Sequence, residues 1–281
     1  MRSPIRTVLA RRGARPLAAA TVAMAALILP AAAGAVTLTG SGSSAAQPYM
    51  LELFKGYSKI HHNVRFKYVA DGGNAGVKDV QAGRSEFAIN TRPPEPSDAG
   101  TTYEKLFLDA LCIDVNKSNA ISSISLANLK NIFLGVDNNW SQVAGSNLST
   151  TIDPVGRNSA AGQYTFFQQS VLGGSTQASN VSQLTADGLV QNQVQRDPNA
   201  IGYLGLAHST GSGEKAIAVN GVTCTAGNVR SKSYPLFRFD WAVIPSSHAN
   251  ASVLQFLNWA RTSAAAGKLI NQSGAVAAFN K

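Results

Sequence analysis

The sequence is poor in the side chains that bind metals and form redox centres. Its 281 residues include two cysteines and four histidines, and no histidine stands at a metal-ligand spacing from a cysteine or a carboxylate. We therefore expect no metal site and no cofactor. Charged residues make up 14% of the chain, and no basic stripe is interleaved with aromatic residues. Binding to nucleic acid is not expected either.

Recognisable catalytic motifs are also missing. The chain has no GxSxG motif to present a serine nucleophile, and no motif places a pair of carboxylates for acid and base catalysis. Residues 40–45 (GSGSSA) fit a loose dinucleotide-binding pattern, but residues 59–65 lack the acidic side chain that such a fold requires about 20 residues later. These absences favour a binding protein over an enzyme.

The first 35 residues differ in composition from the rest. They contain five arginines, no acidic residue, an apolar run over 17–33 and a small-residue ending, which together predict a signal peptide cleaved before Val36. A retained membrane anchor is the alternative. The protein is accordingly predicted to be exported, to the periplasm or the cell exterior. Without this segment, 19 basic residues face 15 acidic ones, so the strongly basic character belongs mainly to the signal.

The two cysteines, Cys112 and Cys224, would meet an oxidising compartment after export. A disulfide between them and a pair of small buried side chains are both compatible with the sequence.

Strand-like and helix-like segments alternate along the mature chain. This alternation, with glycine-rich turns between the segments, predicts a parallel α/β sheet. The predicted strands are 36–39, 64–69, 86–90, 106–115, 151–156, 201–206, 215–219 and 239–244, and the predicted helices are 45–57, 77–82, 125–134, 162–171 and 251–266.

Three turns rich in serine, glycine or asparagine lead directly into predicted helices, namely 42–45, 73–76 and 157–162. A helix start offers unpaired N–H groups and the positive end of the helix dipole, so several such starts could enclose an anion. Arg157 strengthens the interpretation of the third turn as part of an anion site, because a guanidinium can hold two oxygens of one anion. The alternative is that each turn is an ordinary capped loop.

In these turns the chain resembles the phosphate-binding proteins of bacterial phosphate ABC transporters, which belong to the type 2 periplasmic-binding-protein class. The similarity covers nearly the whole mature chain. It is carried by residues 38–44 (LTGSGSS), 72–78 (GGNAGVK), 87–92 (FAINTR), 129–140 (the pattern L..IF.G....W), 200–203 (AIGY) and 256–260 (FLNWA).

The resemblance implies a two-lobed α/β fold with a hinge of crossing strands. Residues 36–108 and 238–281 would form lobe 1, and residues 109–237 would form lobe 2. The ligand would lie in the cleft, and closure of the lobes would gate it.

Carried over by position, the implied anion contacts are Ser43, Ser44, Ala45, Gly73, Asn74, Thr91, Arg157 and Gly162. The chain departs from the family at two of these places. The third turn has Ala160, Ala161 and Gln163 where the family has GSGT, so two hydroxyl donors are lost. Thr91 stands where some members carry an aspartate that accepts a proton from phosphate, which leaves the choice between phosphate and sulfate open.

We therefore expect a monomeric, non-catalytic receptor that delivers inorganic phosphate to the permease subunits of an ABC transporter. Three alternatives remain: a receptor for sulfate, molybdate or a phosphorylated ligand, a secreted phosphoester hydrolase on the same lobes, and a sensor or adhesin without transport.

Overall fold

The structure is a computed structural model that describes Met1 and residues 34–279. Nearly all of the predicted signal peptide lies outside these residues. Residues 34–279 contain ten strands and eight α-helices. The strands are β1 (Val36–Gly42), β2 (Val64–Val69), β3 (Phe87–Asn90), β4 (Thr101–Asn116), β5 (Ser123–Ile124), β6 (Asp153–Arg157), β7 (Ser182–Leu184), β8 (Ala200–Gly205), β9 (Glu214–Val219) and β10 (Phe237–Pro245). The helices are α1 (Gln47–Ile60), α2 (Gly73–Gln81), α3 (Leu126–Phe133), α4 (Gly162–Ser170), α5 (Asp187–Arg196), α6 (Ala226–Arg230), α7 (Ala251–Thr262) and α8 (Ala264–Gln272).

The strands form a mixed sheet in the order β2-β1-β3-β10-β4-β8-β6-β7, which β9 joins by pairing with β4 and β5. β1 is parallel to β2 and β3, and β6 is parallel to β7 and β8. The prediction of a parallel α/β arrangement is confirmed in these two regions. β4 and β10 are antiparallel to each other in the centre, a pairing that the alternation of elements did not predict.

The two largest hydrophobic cores lie on the two halves of this sheet, and β4 and β10 contribute residues to both. Along β4, Phe107 belongs to the core that contains α1, α7 and α8, whereas Leu108 belongs to the core that contains Trp140 and Phe167. Along β10, Phe239 packs against the second core and Ala242 belongs to the first. The fold is thus two-lobed, and β4 and β10 are the crossing strands of its hinge.

A disulfide joins Cys112 on β4 to Cys224, two residues before α6. Of the two states that the sequence allowed for these cysteines, the structure has the bridged one. The bond closes a loop over 112 positions of the chain.

Several elements differ from their predicted bounds. The predicted helix 251–266 is two helices, because Ser263 has an extended backbone with φ −75° and ψ 132° between α7 and α8. β1 continues to Gly42, into the segment predicted as a turn, and α1 begins at Gln47 rather than at residue 45. Sequence patterns also missed α5, whose buried apolar residues are only Val190 and Val194, and α6, which has five residues.

Candidate functional site

The predicted anion-contact residues lie at the ends of strands and the starts of helices. Ser43, Ser44 and Ala45 connect β1 to α1, and Gly73 and Asn74 begin α2. The remaining three follow the same rule, since Thr91 comes after β3, Arg157 ends β6 and Gly162 begins α4. Strands that run parallel in an open α/β sheet end at the same edge, which is where such folds bind ligands.

The turn before α1 is held by its backbone. Gly42 has φ +120°, and a Cβ at this position would lie 2.4 Å from the carbonyl oxygen of Ile89, so only glycine fits. Directly after it, the N–H of Ser43 donates to that same carbonyl at 2.8 Å. Ser43 Oγ accepts from the N–H of Ala46 at 3.2 Å. These contacts hold Ser44 and Ala45 at the edge of the sheet, and both are buried.

The second turn packs directly against the third. The N–H groups of Asn74 and Ala75 both donate to the carbonyl oxygen of Ala160, at 2.9 and 3.2 Å. The side-chain Nδ2 of Asn74 donates to Ser159 O at 3.0 Å and to Thr165 Oγ1 at 2.9 Å. The first-turn donors of α2 are therefore engaged by the turn before α4.

The start of α4 lies against the end of β3. A Cβ on Gly162 would lie 1.9 Å from Asn90 Oδ1 and 2.9 Å from Thr91 Oγ1, and a Cβ on Gly73 would lie 2.3 Å from Asn90 Oδ1. The amide of Asn90 thus fills the space between two helix starts. Thr91 Oγ1 is buried and has no hydrogen-bond partner among the residues that the structure describes. A buried hydroxyl without a partner is unfavourable, so this atom suits a ligand oxygen.

Arg157 is buried, and its guanidinium is already engaged by other groups of the protein. It forms an ion pair with Asp187 and donates from Nη1 to Gln163 Oε1 at 2.6 Å. Nε donates to the carbonyl of Leu184 at 3.1 Å, and Nη2 donates to the carbonyl of Thr185 at 2.7 Å. Each nitrogen of this guanidinium therefore has an acceptor from the protein.

Asp187 is the carboxylate at the centre of this cluster. Besides the ion pair with Arg157, it accepts from Ser44 Oγ at 3.0 Å, Gln163 Nε2 at 2.7 Å and the N–H of Gly205 at 3.0 Å. Burial raises the pKa of Asp187, but the charge of Arg157 and these hydrogen bonds outweigh burial and hold the pKa below its usual range. Asp187 is therefore ionised. It engages two of the donors that the resemblance assigns to an external anion, the hydroxyl of Ser44 and the guanidinium of Arg157.

Sequence reasoning missed Asp187 because it did not predict α5. The local signal was weak: Val190 and Val194 are the buried apolar residues on that helix, spaced by one turn, and Asp187 itself occupies the first helical position. Gln163, which replaces a family hydroxyl, donates to Asp187. Asp71, the other polar residue near the turns, accepts from the N–H of Gly42 at 3.1 Å.

Residues 34–279 contain no cluster of three or more histidine, cysteine, aspartate or glutamate side chains suited to a metal ion. Over the same range, no helix combines the length and the apolar character that crossing a membrane requires.

Comparison with protein-family models finds a match to the PBP superfamily domain over residues 29–263. Among curated proteins, the chain is similar to Protein SphX of Synechococcus elongatus. The two are 30% identical over an alignment that covers 95% of this chain and 85% of that protein. It is also similar to the Phosphate-binding protein PstS of Borreliella burgdorferi, with 26% identity over 245 residues that cover 83% of this chain and 87% of that protein.

Among solved structures, the fold is similar to that of a putative phosphate ABC transporter substrate-binding protein from Clostridium perfringens, crystallised with bound phosphate. The TM-score is 0.80 at 24% sequence identity, and the match covers 86% of this chain and 99% of that one. An ABC-type phosphate transport receptor from Vibrio cholerae has a TM-score of 0.69, also at 24% identity, over 85% of this chain and 99% of that one.

Proposed function

The chain belongs to the PBP superfamily, and on that basis we propose that it is a solute-binding protein that captures inorganic phosphate in the cleft between its lobes. Two lines support phosphate as the ligand. Curated relatives that match most of this chain include proteins named phosphate-binding proteins, and a structural neighbour was crystallised with phosphate. The cleft is also built from helix starts, which favour small anions.

The observation that carries the proposal is the meeting of four helix starts at one place. Ser44, before α1, hydrogen-bonds Asp187 at the start of α5. Asn74, in the first turn of α2, hydrogen-bonds the turn before α4, and Gly162 of α4 lies against Thr91. Helix starts favour small anions, and in the structure the N–H groups of Asn74 and Ala75 donate to Ala160 O, while Pro48 leaves the first turn of α1 with one N–H fewer.

The proposed contact set is the one that the resemblance implies: Ser43, Ser44, Ala45, Gly73, Asn74, Thr91, Arg157 and Gly162. In the structure, several of these donors are hydrogen-bonded to acceptors of the protein itself. Phosphate therefore has to enter while the lobes are apart and then compete with Asp187 and the carbonyl of Ala160 for the same donors. In this proposal the lobes divide at the crossing strands, with residues 36–108 and 238–281 in one lobe and residues 109–237 in the other.

The proposed partners and location follow from the same family. The protein would be exported by its signal peptide and would hand phosphate to the permease subunits of an ABC transporter. It would act as a monomer and without catalysis.

Calorimetric titration of residues 36–281 with phosphate tests the proposed ligand. The protein is first unfolded and refolded to remove bound anion, then titrated with phosphate and, separately, with sulfate. We expect saturable one-site binding of phosphate and weaker binding of sulfate. Binding of sulfate without binding of phosphate would overturn phosphate as the ligand, and steady turnover of a phosphate monoester would overturn the non-catalytic assignment.

Closure of the lobes on phosphate depends on the missing side chain of Gly162. In Gly162→Ala the new methyl group would collide with Asn90 and Thr91, so the start of α4 cannot reach the other lobe. We expect phosphate affinity to fall about ten-fold or more, which corresponds to roughly 1.4 kcal/mol. Calorimetry measures this change.

Gly227→Ala in α6 is the matched control, because a Cβ there meets only Thr225 Oγ1, at 3.9 Å. It should bind phosphate as the wild type does. Equal affinity of Gly162→Ala and Gly227→Ala would mean that α4 does not close on the ligand.

A further inference from the structure

A second buried charge cluster lies on the hinge strand β10, next to the cleft. Arg238 and Asp240 alternate with partly exposed residues along this strand, so both side chains point to the same face of the sheet, and both are buried. On that face, the hydroxyl of Tyr49 from α1 donates to Asp240 Oδ2. Nη2 of Arg238 donates to Asp109 Oδ2 on β4 at 2.6 Å.

The guanidinium of Arg238 is only partly satisfied by the protein. Its Nε and Nη1 are buried and have no hydrogen-bond partner within residues 34–279, and Asp240 Oδ1, 3.7 Å from Nε, also has none. Nε and Nη1 together carry three of the five N–H groups of an arginine. Nε is close enough to Asp240 for an ion pair but not for a hydrogen bond. Charged donors without a hydrogen-bond acceptor in a protein interior are strongly unfavourable, so these groups have room for an acceptor that the polypeptide does not supply.

The other two buried arginines differ from Arg238 in this respect. Each nitrogen of Arg157 has a protein acceptor, as described above. Arg92 is held by Asp98 through Nη1 and Nη2 and donates from Nε to Asn74 Oδ1. Within the part of the chain that the structure describes, the guanidinium with free donors beside the cleft is therefore that of Arg238.

Arg238 is close to the proposed anion contacts from both lobes. Its Cζ lies 5.8 Å from the ring of Phe166, one helical turn after Gly162 on α4. Its partner Asp109 lies near the first turn, because a Cβ on Gly205 would be 2.9 Å from Ala45 Cβ and 3.5 Å from Asp109 Oδ2.

Strand pairing brings Asp240 into the same region. Trp241, the residue after Asp240, lies opposite Asn90 in the antiparallel pair of β10 and β3, and Asn90 precedes Thr91, whose hydroxyl is also unpartnered.

We infer that Arg238 is a further guanidinium that faces the captured oxyanion, in addition to the proposed contact Arg157, whose guanidinium is held in place by Asp187. This inference rests on the proposed capture of phosphate. It places a second positive charge of the site on β10, in a segment where neither the turn motifs nor the family pattern placed a contact. Thr91 Oγ1 and the N–H groups at the start of α4 complete the donor set.

The charge balance of the cluster is compatible with an incoming anion. Burial and the negative charge of Asp109 raise the pKa of Asp240 to about 8, although Arg238 opposes them. Near neutral pH Asp240 is therefore mostly protonated, and Asp109 alone balances Arg238.

The test compares Arg238→Lys with Asp109→Asn in residues 36–281, by calorimetric titration with phosphate and by thermal melting. Lysine keeps the positive charge and can still pair with Asp109, but it loses the planar set of N–H donors. We expect Arg238→Lys to bind phosphate at least about ten-fold more weakly than the wild type. Asp109→Asn leaves the free N–H groups in place and removes a nearby negative charge, so its phosphate affinity should be unchanged or higher despite a lower melting temperature.

A purely structural role of the Arg238–Asp109 pair would lower phosphate affinity in both variants together. The double variant Arg238→Gln/Asp109→Asn covers the case in which Arg238→Lys fails to fold, because it leaves no unpaired charge, and we expect it to fold and to lose phosphate binding. Wild-type affinity in any folded Arg238 variant would overturn the inference and leave phosphate capture standing. Failure of the wild type to bind phosphate would instead overturn the proposed function and the inference with it.

Discussion

Replacing Asp187 with alanine is expected to lower the free energy of unfolding by about 3–5 kcal/mol, because Arg157 would remain buried without its counter-charge. Both side chains are at most 1% exposed. The substitution also removes the acceptor for Ser44 Oγ, Gln163 Nε2 and the N–H of Gly205. Urea unfolding of wild type and variant at neutral pH measures the difference.

The double variant Arg157→Met/Asp187→Ala is the control for this prediction. It removes both charges at once, so it should be more stable than Asp187→Ala alone. A loss below about 1 kcal/mol in Asp187→Ala would mean that Arg157 finds another counter-charge in the variant.

The effect of Asp187 should also depend on pH. Burial raises the pKa of Asp187, but Arg157 and the hydrogen bonds lower it further than burial raises it, so the folded pKa lies below the usual range. A carboxyl of this kind stabilises the fold above its unfolded pKa of about 3.9, and the contribution is lost as pH falls through the folded pKa. The stability gap between wild type and Asp187→Ala should therefore stay constant down to about pH 4 and shrink below it.

Loss of the disulfide should have an effect of similar size. The bond between Cys112 and Cys224 spans 112 positions of the chain. Loop closure on this scale restricts the unfolded chain by about 4–5 kcal/mol in the chain-entropy model. The double variant Cys112→Ala/Cys224→Ala should lose stability of this order in urea unfolding, chiefly because its unfolded state gains entropy.

Reductant provides the internal control for the disulfide. Dithiothreitol should lower the unfolding midpoint of the wild type towards that of the double variant and leave the double variant unchanged. Equal midpoints of oxidised wild type and double variant would contradict the prediction. Retained phosphate binding by the folded double variant would separate stability from function, because neither cysteine is among the proposed contacts.

Much of the fold could be predicted from local patterns. The alternation of residues 64–69 identifies β2, and the apolar positions of residues 251–260 identify α7, because both patterns record which face of an element is buried. α5 escaped because its two buried valines give too weak a pattern. The break between α7 and α8 escaped because Ser263 is not a residue that forces an extended backbone.

The candidate site divides in the same way. The turns at Ser43, Gly73 and Gly162 could be located from the sequence, because glycine and serine before a helix are local signals of a helix start. The ion-pair partner of each charged side chain could not be predicted from the sequence, because the partner lies far away along the chain. Arg157 pairs with Asp187 from 30 positions away, and Arg238 pairs with Asp109 from 129 positions away.

By itself the sequence determined the class of the protein, an α/β binding protein with anion-favouring helix starts and the motifs of a phosphate-binding family, and it predicted an export signal. These features are local or additive along the chain. Only the tertiary structure decided which donors are free, because hydrogen-bond satisfaction is set by packing between elements and by burial from water. That packing gives Arg157 a full set of protein acceptors and leaves Arg238 with unused donors beside the cleft.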